Sequence, residues 1–142
     1  MDPNKSAYLQ MIQEPINRMS TMSSIFKGFC STIVAGISGL GYETMNLWIL
    51  ILSFLPVLAF AVLDVYYLSL ERKFRYLYSQ VASGEHACDF KMDLINRNNK
   101  SEMKKAKASI KYCIQSPSFW LFYPLMFLIC VIVIFMKAFG GV

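Results

Sequence analysis

The chain has 142 residues, 56% of them hydrophobic, with 14 lysines and arginines against 9 acids, for a net charge of +5. A mean hydropathy of +0.42 is more apolar surface than a small globule can cover, which excludes an ordinary soluble domain. The apolar residues fall in blocks with the bases between them, the pattern of a helical membrane protein with a basic region outside the bilayer.

Residues 1–26 read as an amphipathic helix on the cytoplasmic side. MDPNKSAYLQ carries an acid and a proline and lacks the basic-then-apolar order of a signal peptide, so it is expected to be retained. Asp2 suits a cap and Pro3 the first helical position. Tyr8, Met11, Ile12, Ile16 and Met19 form an apolar stripe, and Pro15 is expected to bend the rod. The stripe either packs on the rest of the cytoplasmic region or lies on the membrane surface.

Residues 27–66 read as a transmembrane hairpin. Its first span is GFCSTIVAGISGLGY, Gly28–Tyr42, short against the ~20 residues a bilayer needs. Ile25 and Phe26 would lengthen it, and Lys27 would snorkel to the interface. Two rows of small residues, Gly28, Thr32, Gly36 and Ser31, Ala35, Gly39, repeat at a spacing of four. Such rows serve close helix packing or the wall of a pore. The second span runs from about Asn46 to Leu63, with Pro56 inside it as an expected kink. No span holds an acid or base near its centre, which argues against proton-coupled transport. In a pore, Glu43 would stand at the outer mouth and Asp64 at the inner one.

Three bases precede the first span, ten lie from Arg72 to Lys111, and only Lys137 follows the third span. Basic loops stay inside, so the N-terminus is expected in the cytoplasm and the C-terminus outside. Residues 67–117 form the basic helical region. The second span is expected to continue as helix to Ser83, ended by Gly84 in the left-handed conformation. Tyr67, Leu70, Phe74, Leu77 and Val81 make a packing stripe, with Arg72, Lys73 and Arg75 off it, in water or near headgroups, as further candidates for binding phosphate. In RNNKSEMKKAKASIK, the spacing of Arg97, Lys100, Lys104, Lys107 and Lys111 puts five cations on one ridge of a helix, with Lys105 beside it. Aligned like charges cost stability, so an anion is expected there, either a lipid headgroup or a phosphate-bearing ligand. A solvated face is the alternative. Residues 118–137 form the third span, with Pro124 as a kink, and 138–142 a short external tail.

The four cysteines form no CxxC pair, and a disulfide is not expected. His86 and Cys88 are too few ligands for a metal. Phosphate loops, nucleophile elbows and HExxH motifs are missing from the sequence, so neither an enzyme nor a cofactor is expected. The expected fold class is all-α: an integral membrane protein with three transmembrane helices, a helical cytoplasmic extension and an oligomeric bundle.

Two stretches, INRMSTMSSIFKGFC (16–30) and LPVLAFAVLDVYYLSLERKFRYLYSQV (55–81), resemble small bacterial membrane proteins encoded beside nucleotidyltransferases in anti-phage defence loci. In that pattern an Asn-Arg-Met segment leads to Lys-Gly-aromatic at the first span. The second span ends in Leu-Asp-x-Tyr-Tyr-Leu and enters Glu-Arg-x-Phe-Arg-x-Leu-Tyr. The resemblance, to Hailong-type or cyclic-oligonucleotide-linked effectors, implies a homo-oligomeric channel, a tetramer or similar ring. A nucleotide or DNA oligomer made by the partner nucleotidyltransferase would gate it, and depolarisation of the inner membrane would abort infection. The alternatives are a ligand-independent holin- or toxin-like disruptor and a non-conducting membrane adaptor.

Overall fold

A computed structural model describes residues 3–43, 47–96 and 98–139. The Asp2 cap, the outer turn at 44–46, Arg97 on the basic ridge and residues 140–142 of the tail lie outside the described residues. All regular structure among the described residues is helical: α1 (Pro3–Glu43), α2 (Leu47–Leu52), α3 (Phe54–Ser83), α4 (Lys100–Lys105), α5 (Ile110–Ile114) and α6 (Pro117–Phe139). Three stretches, Pro3–Gly41, Leu47–Ser83 and Lys100–Phe139, are long and apolar enough to cross a membrane.

Two boundaries differ from the sequence reading. The N-terminal helix and the first span are one element, because nothing between Ser23 and Gly28 stops a helix and Pro15 is carried inside α1. The second span is interrupted at Ser53 rather than kinked at Pro56. Proline has no N–H for the carbonyl four residues back, and its ring clashes with that carbonyl. Here that carbonyl belongs to Leu52, so α2 ends there and α3 begins two residues later. Ser53 closes the break, its backbone N–H and its hydroxyl both donating to Leu50 O (3.1 and 2.6 Å).

The chain forms two compact units, one of Met1–Ser23 with Val65–Ile114 and one of Ser24–Asp64 with Gln115–Val142. In the second, apolar unit, Cys30, Val34, Val57, Tyr123, Met126 and Cys130 make the core. Phe29, Leu55, Leu58, Val62, Leu121, Leu128 and Phe135 point outward and are exposed. That belt would be untenable in water and suits contact with lipid tails. Pro124 lies inside α6 without ending it. Gly41 is the tight point, since a Cβ there would lie 2.8 Å from Leu50 Cδ2 and 3.2 Å from Ile49 Cγ2. We expect Gly41→Ala to destabilise this unit by about 1–3 kcal/mol through overpacking. Gly36→Ala should be nearly neutral in the monomer, because its Cβ meets nothing within 4 Å. Thermal melts of the two variants in detergent check the contrast.

In the first, basic unit, the two apolar stripes read from the sequence pack on each other. Tyr8, Leu9, Ile12 and Ile16 of α1 meet Phe74, Leu77 and Val81 of α3, with Met92 and Leu94 of the following segment laid against them. Met11 is an exception, being exposed. The Tyr8 hydroxyl donates to Lys91 O, and Lys5 Nζ donates to Ala82 O at 2.8 Å. Burial raises the Tyr8 phenol above its ordinary pKa, and the nearby Asp89 and Asp93 carboxylates push the same way. Gly84 ends α3 with φ +85°, donating to Val81 O at 3.2 Å.

Candidate basic recess and a buried ion pair

The expected continuous basic ridge is not formed. The chain from Lys100 to Lys111 is two short helices with a corner between them. Asn99 starts the first, its side-chain oxygen accepting from Glu102 N at 3.4 Å. The end is a Schellman motif: Lys107 N donates to Lys104 O and Ala108 N to Met103 O, both at 3.1 Å. Lys107 holds the left-handed position, φ 49°, that glycine usually takes. A helix aligning Lys100, Lys104, Lys107 and Lys111 would stack like charges at every turn, and the corner interrupts that alignment.

Two hydrogen bonds from α3 hold the corner. Ser69 Oγ donates to Ala108 O and Arg72 Nη1 to Lys107 O, each at 2.7 Å. They help to offset the strain at Lys107, which for a non-glycine residue is on the order of 1 kcal/mol or more. Cys113 lies buried here; burial pushes its thiol upward in pKa, with Arg72 partly opposing. A thiol in that state is a packing group rather than a nucleophile.

The corner and α3 enclose an open recess of about 380 Å³ lined by Arg72, Arg75, Tyr76, Lys105, Ala106 and Lys107. Four of the predicted cations are thus brought together by tertiary folding instead of by helical period. Arg75 also lines a smaller recess, about 230 Å³, with Gln13, Ile16 and Tyr78. Glu71, 8% exposed, pairs with Arg75 (Nε to Oε1, 2.7 Å) and fixes the arginine along α3. Lys100, Lys104 and Lys111 are exposed and do not line the recess. Lys73, expected in water, is 8% exposed and does not line it either. The chemistry on offer is anion binding: guanidinium and ammonium donors beside the Tyr76 side chain. We expect Lys107→Gly to leave the corner as stable or up to about 1 kcal/mol more stable, by relieving the positive φ, while weakening anion binding. Thermal melts and anion titration of the variant separate the two effects.

In the apolar unit, Lys27 does not reach out to solvent as expected but pairs with Asp64, the residue expected at the inner mouth of a pore. Lys27 Nζ lies 2.9 Å from Asp64 Oδ2, with side chains 17% and 2% exposed. Tyr123 of α6 reaches the same level of α3, donating to Phe60 O at 3.1 Å. The Phe26 and Phe60 rings, 6.1 Å apart, flank the group. An isolated charge is expensive in such surroundings, so each ion holds the other. The sequence carried a signal for this: Lys27 and Asp64 stand at nearly equal distances from the α1–α2 connection, so two antiparallel helices bring them level.

The remaining candidates line span one. Gly28, Thr32, Ala35, Gly36 and Gly39 are exposed and Ser31 half-buried. A Cβ on Gly28, Gly36 or Gly39 would meet nothing. The Ser31 and Thr32 hydroxyls turn back to Lys27 O (2.9 Å) and Gly28 O (3.0 Å). Gly39 and Glu43 line a recess of about 400 Å³ with Ser38, Val133 and Met136. Among the described residues, no group of three or more His, Cys, Asp or Glu could hold a metal ion. Compared with protein-family models, curated proteins and solved structures, the chain matches none.

Proposed function

We propose that the chain is an oligomeric inner-membrane channel acting as an anti-phage effector. A phosphate-bearing nucleotide or oligonucleotide, made by a partner nucleotidyltransferase, binds on the cytoplasmic side and gates it, and opening depolarises the membrane. The observation that carries this reading is the recess of Arg72, Arg75, Lys105 and Lys107 beside Tyr76. Cations drawn from distant parts of the sequence onto one surface repel each other, and polyvalent phosphate would compensate that repulsion, with Tyr76 offering a stacking face for a base. The open small-residue face of span one supports association of copies by close helix packing. A symmetric ring would repeat the recess in every subunit.

The test uses the purified full chain, a labelled single-stranded oligodeoxynucleotide and a labelled cyclic dinucleotide. Four phosphate contacts predict a loss of affinity of roughly 50-fold between about 50 and 200 mM salt. Planar-bilayer current should change when the bound probe is added. If neither probe binds with salt sensitivity, the ligand part is wrong. If no current passes under any condition, the protein is a non-conducting adaptor; if current passes regardless of ligand, it is a holin-like disruptor.

A further inference from the structure

The Lys27–Asp64 pair occupies a particular place along the chain. Asp64 is the last residue of the apolar unit before α3 enters the basic unit, and α1 enters the apolar unit at Ser24, one turn before Lys27. The two helices that join the units therefore carry opposite charges at their points of passage, and those charges are in contact at 2.9 Å. Tyr123 ties α6 to the same level through its bond to Phe60 O. Cys30, one turn further along α1, is 0% exposed and packs in the core next to this group.

We propose that Lys27 and Asp64 form a latch that holds α1 and α3 in register within the apolar unit, and that its separation is how a change at the basic recess enters the membrane. The inference rests on the channel reading for its electrical consequence alone. An ammonium and a carboxylate shielded from water have two stable arrangements, in contact or each rehydrated. A displacement of either helix therefore produces a switch rather than a gradual deformation. A hydrophobic contact in the same place would yield continuously. Lys27 and Asp64 act as positioning residues, and Tyr123 ties α6 to the same level of α3 through Phe60 O.

The experiment uses the full chain in liposomes and compares wild type with Asp64→Asn, Lys27→Met, Lys27→Arg and the exchanged pair K27D/D64K. N-ethylmaleimide labelling of Cys30 and Cys130 is read by peptide mass spectrometry, alongside single-channel open probability. A latch predicts that Asp64→Asn and Lys27→Met raise Cys30 labelling about tenfold or more, the scale of a typical coupling between sites. Cys130, 1% exposed in the same core, should stay protected. Lys27→Arg should behave as wild type, and the exchanged pair should return Cys30 to within about threefold of it. Open probability should follow the same order. If both cysteines become reactive together, the pair is merely structural and the proposal is overturned. It is equally overturned if Cys30 is unmoved, or if the exchanged pair labels like the single variants. Should one single variant fail to accumulate, the other single variant is read in its place. The predicted labelling with no current in any variant would reject the channel reading and leave the latch standing; current indifferent to the variants would do the reverse.

Discussion

Reversing Arg75 and Lys105 to glutamate should lower the affinity for a short single-stranded oligodeoxynucleotide by at least about 100-fold. Hydrogen bonds to charged groups contribute about 1.5–3 kcal/mol each, and every 1.4 kcal/mol is about tenfold in Kd. Two such contacts are lost and two repulsions gained. The dependence of affinity on salt should flatten by about 0.7 logarithmic units per cation removed. Fluorescence anisotropy across a salt series measures both quantities. Reversing Lys100, Lys104 and Lys111 instead, three charges outside the recess lining, should cost less than about tenfold, since exposed charges act through screened, longer-range attraction. Equal losses in the two sets would mean that the whole basic segment, and not the recess, holds the phosphates.

The second large effect is expected in the packing beneath the recess. Tyr8→Ala should destabilise the basic unit by about 3–5 kcal/mol, the usual cost of removing a large buried aromatic side chain. Tyr8 is fully buried, donates to Lys91 O, and stacks 5.3 Å from the Phe90 ring, whose residue holds φ 57°. Its loss releases the segment after Gly84, which has no helix of its own and is held by Tyr8, Met92 and Leu94. Limited proteolysis should then cut between residues 85 and 96 far faster than in wild type. The core of Cys30, Val34, Val57 and Cys130 lies in the other unit and shares no residue with this one. Protection there should be unchanged. Cleavage that spreads into the apolar helices would show that the two cores are one cooperative structure.

The comparison between sequence and structure separates along a physical line. Three helices of spanning length, the end of α3 at Gly84 and the apolar stripes of α1 and α3 were all legible, because each depends on neighbours within a turn or two. The kink expected at Pro56 falls elsewhere, because proline acts on the carbonyl four residues earlier and the break lies at Ser53. The basic ridge failed differently. Spacing alone put its charges on one helical face, but a helix from Lys100 to Lys111 had to compete with a corner that relieves repulsion and accepts two hydrogen bonds from α3. Nothing within the segment announces those partners, since Ser69 and Arg72 lie more than thirty residues away.

What the sequence by itself determined is the helical, membrane-compatible character of the chain, the gathering of ten of its 14 bases between Arg72 and Lys111 and the faces its helices bury. These follow from composition and period, which are local. Tertiary structure alone decided which cations share a recess and that Lys73 is buried, and it brought into contact Lys27 and Asp64, whose sequence positions only set them level. A charge's surroundings depend on what folding brings beside it, and in an apolar setting that neighbour determines whether the charge can stay.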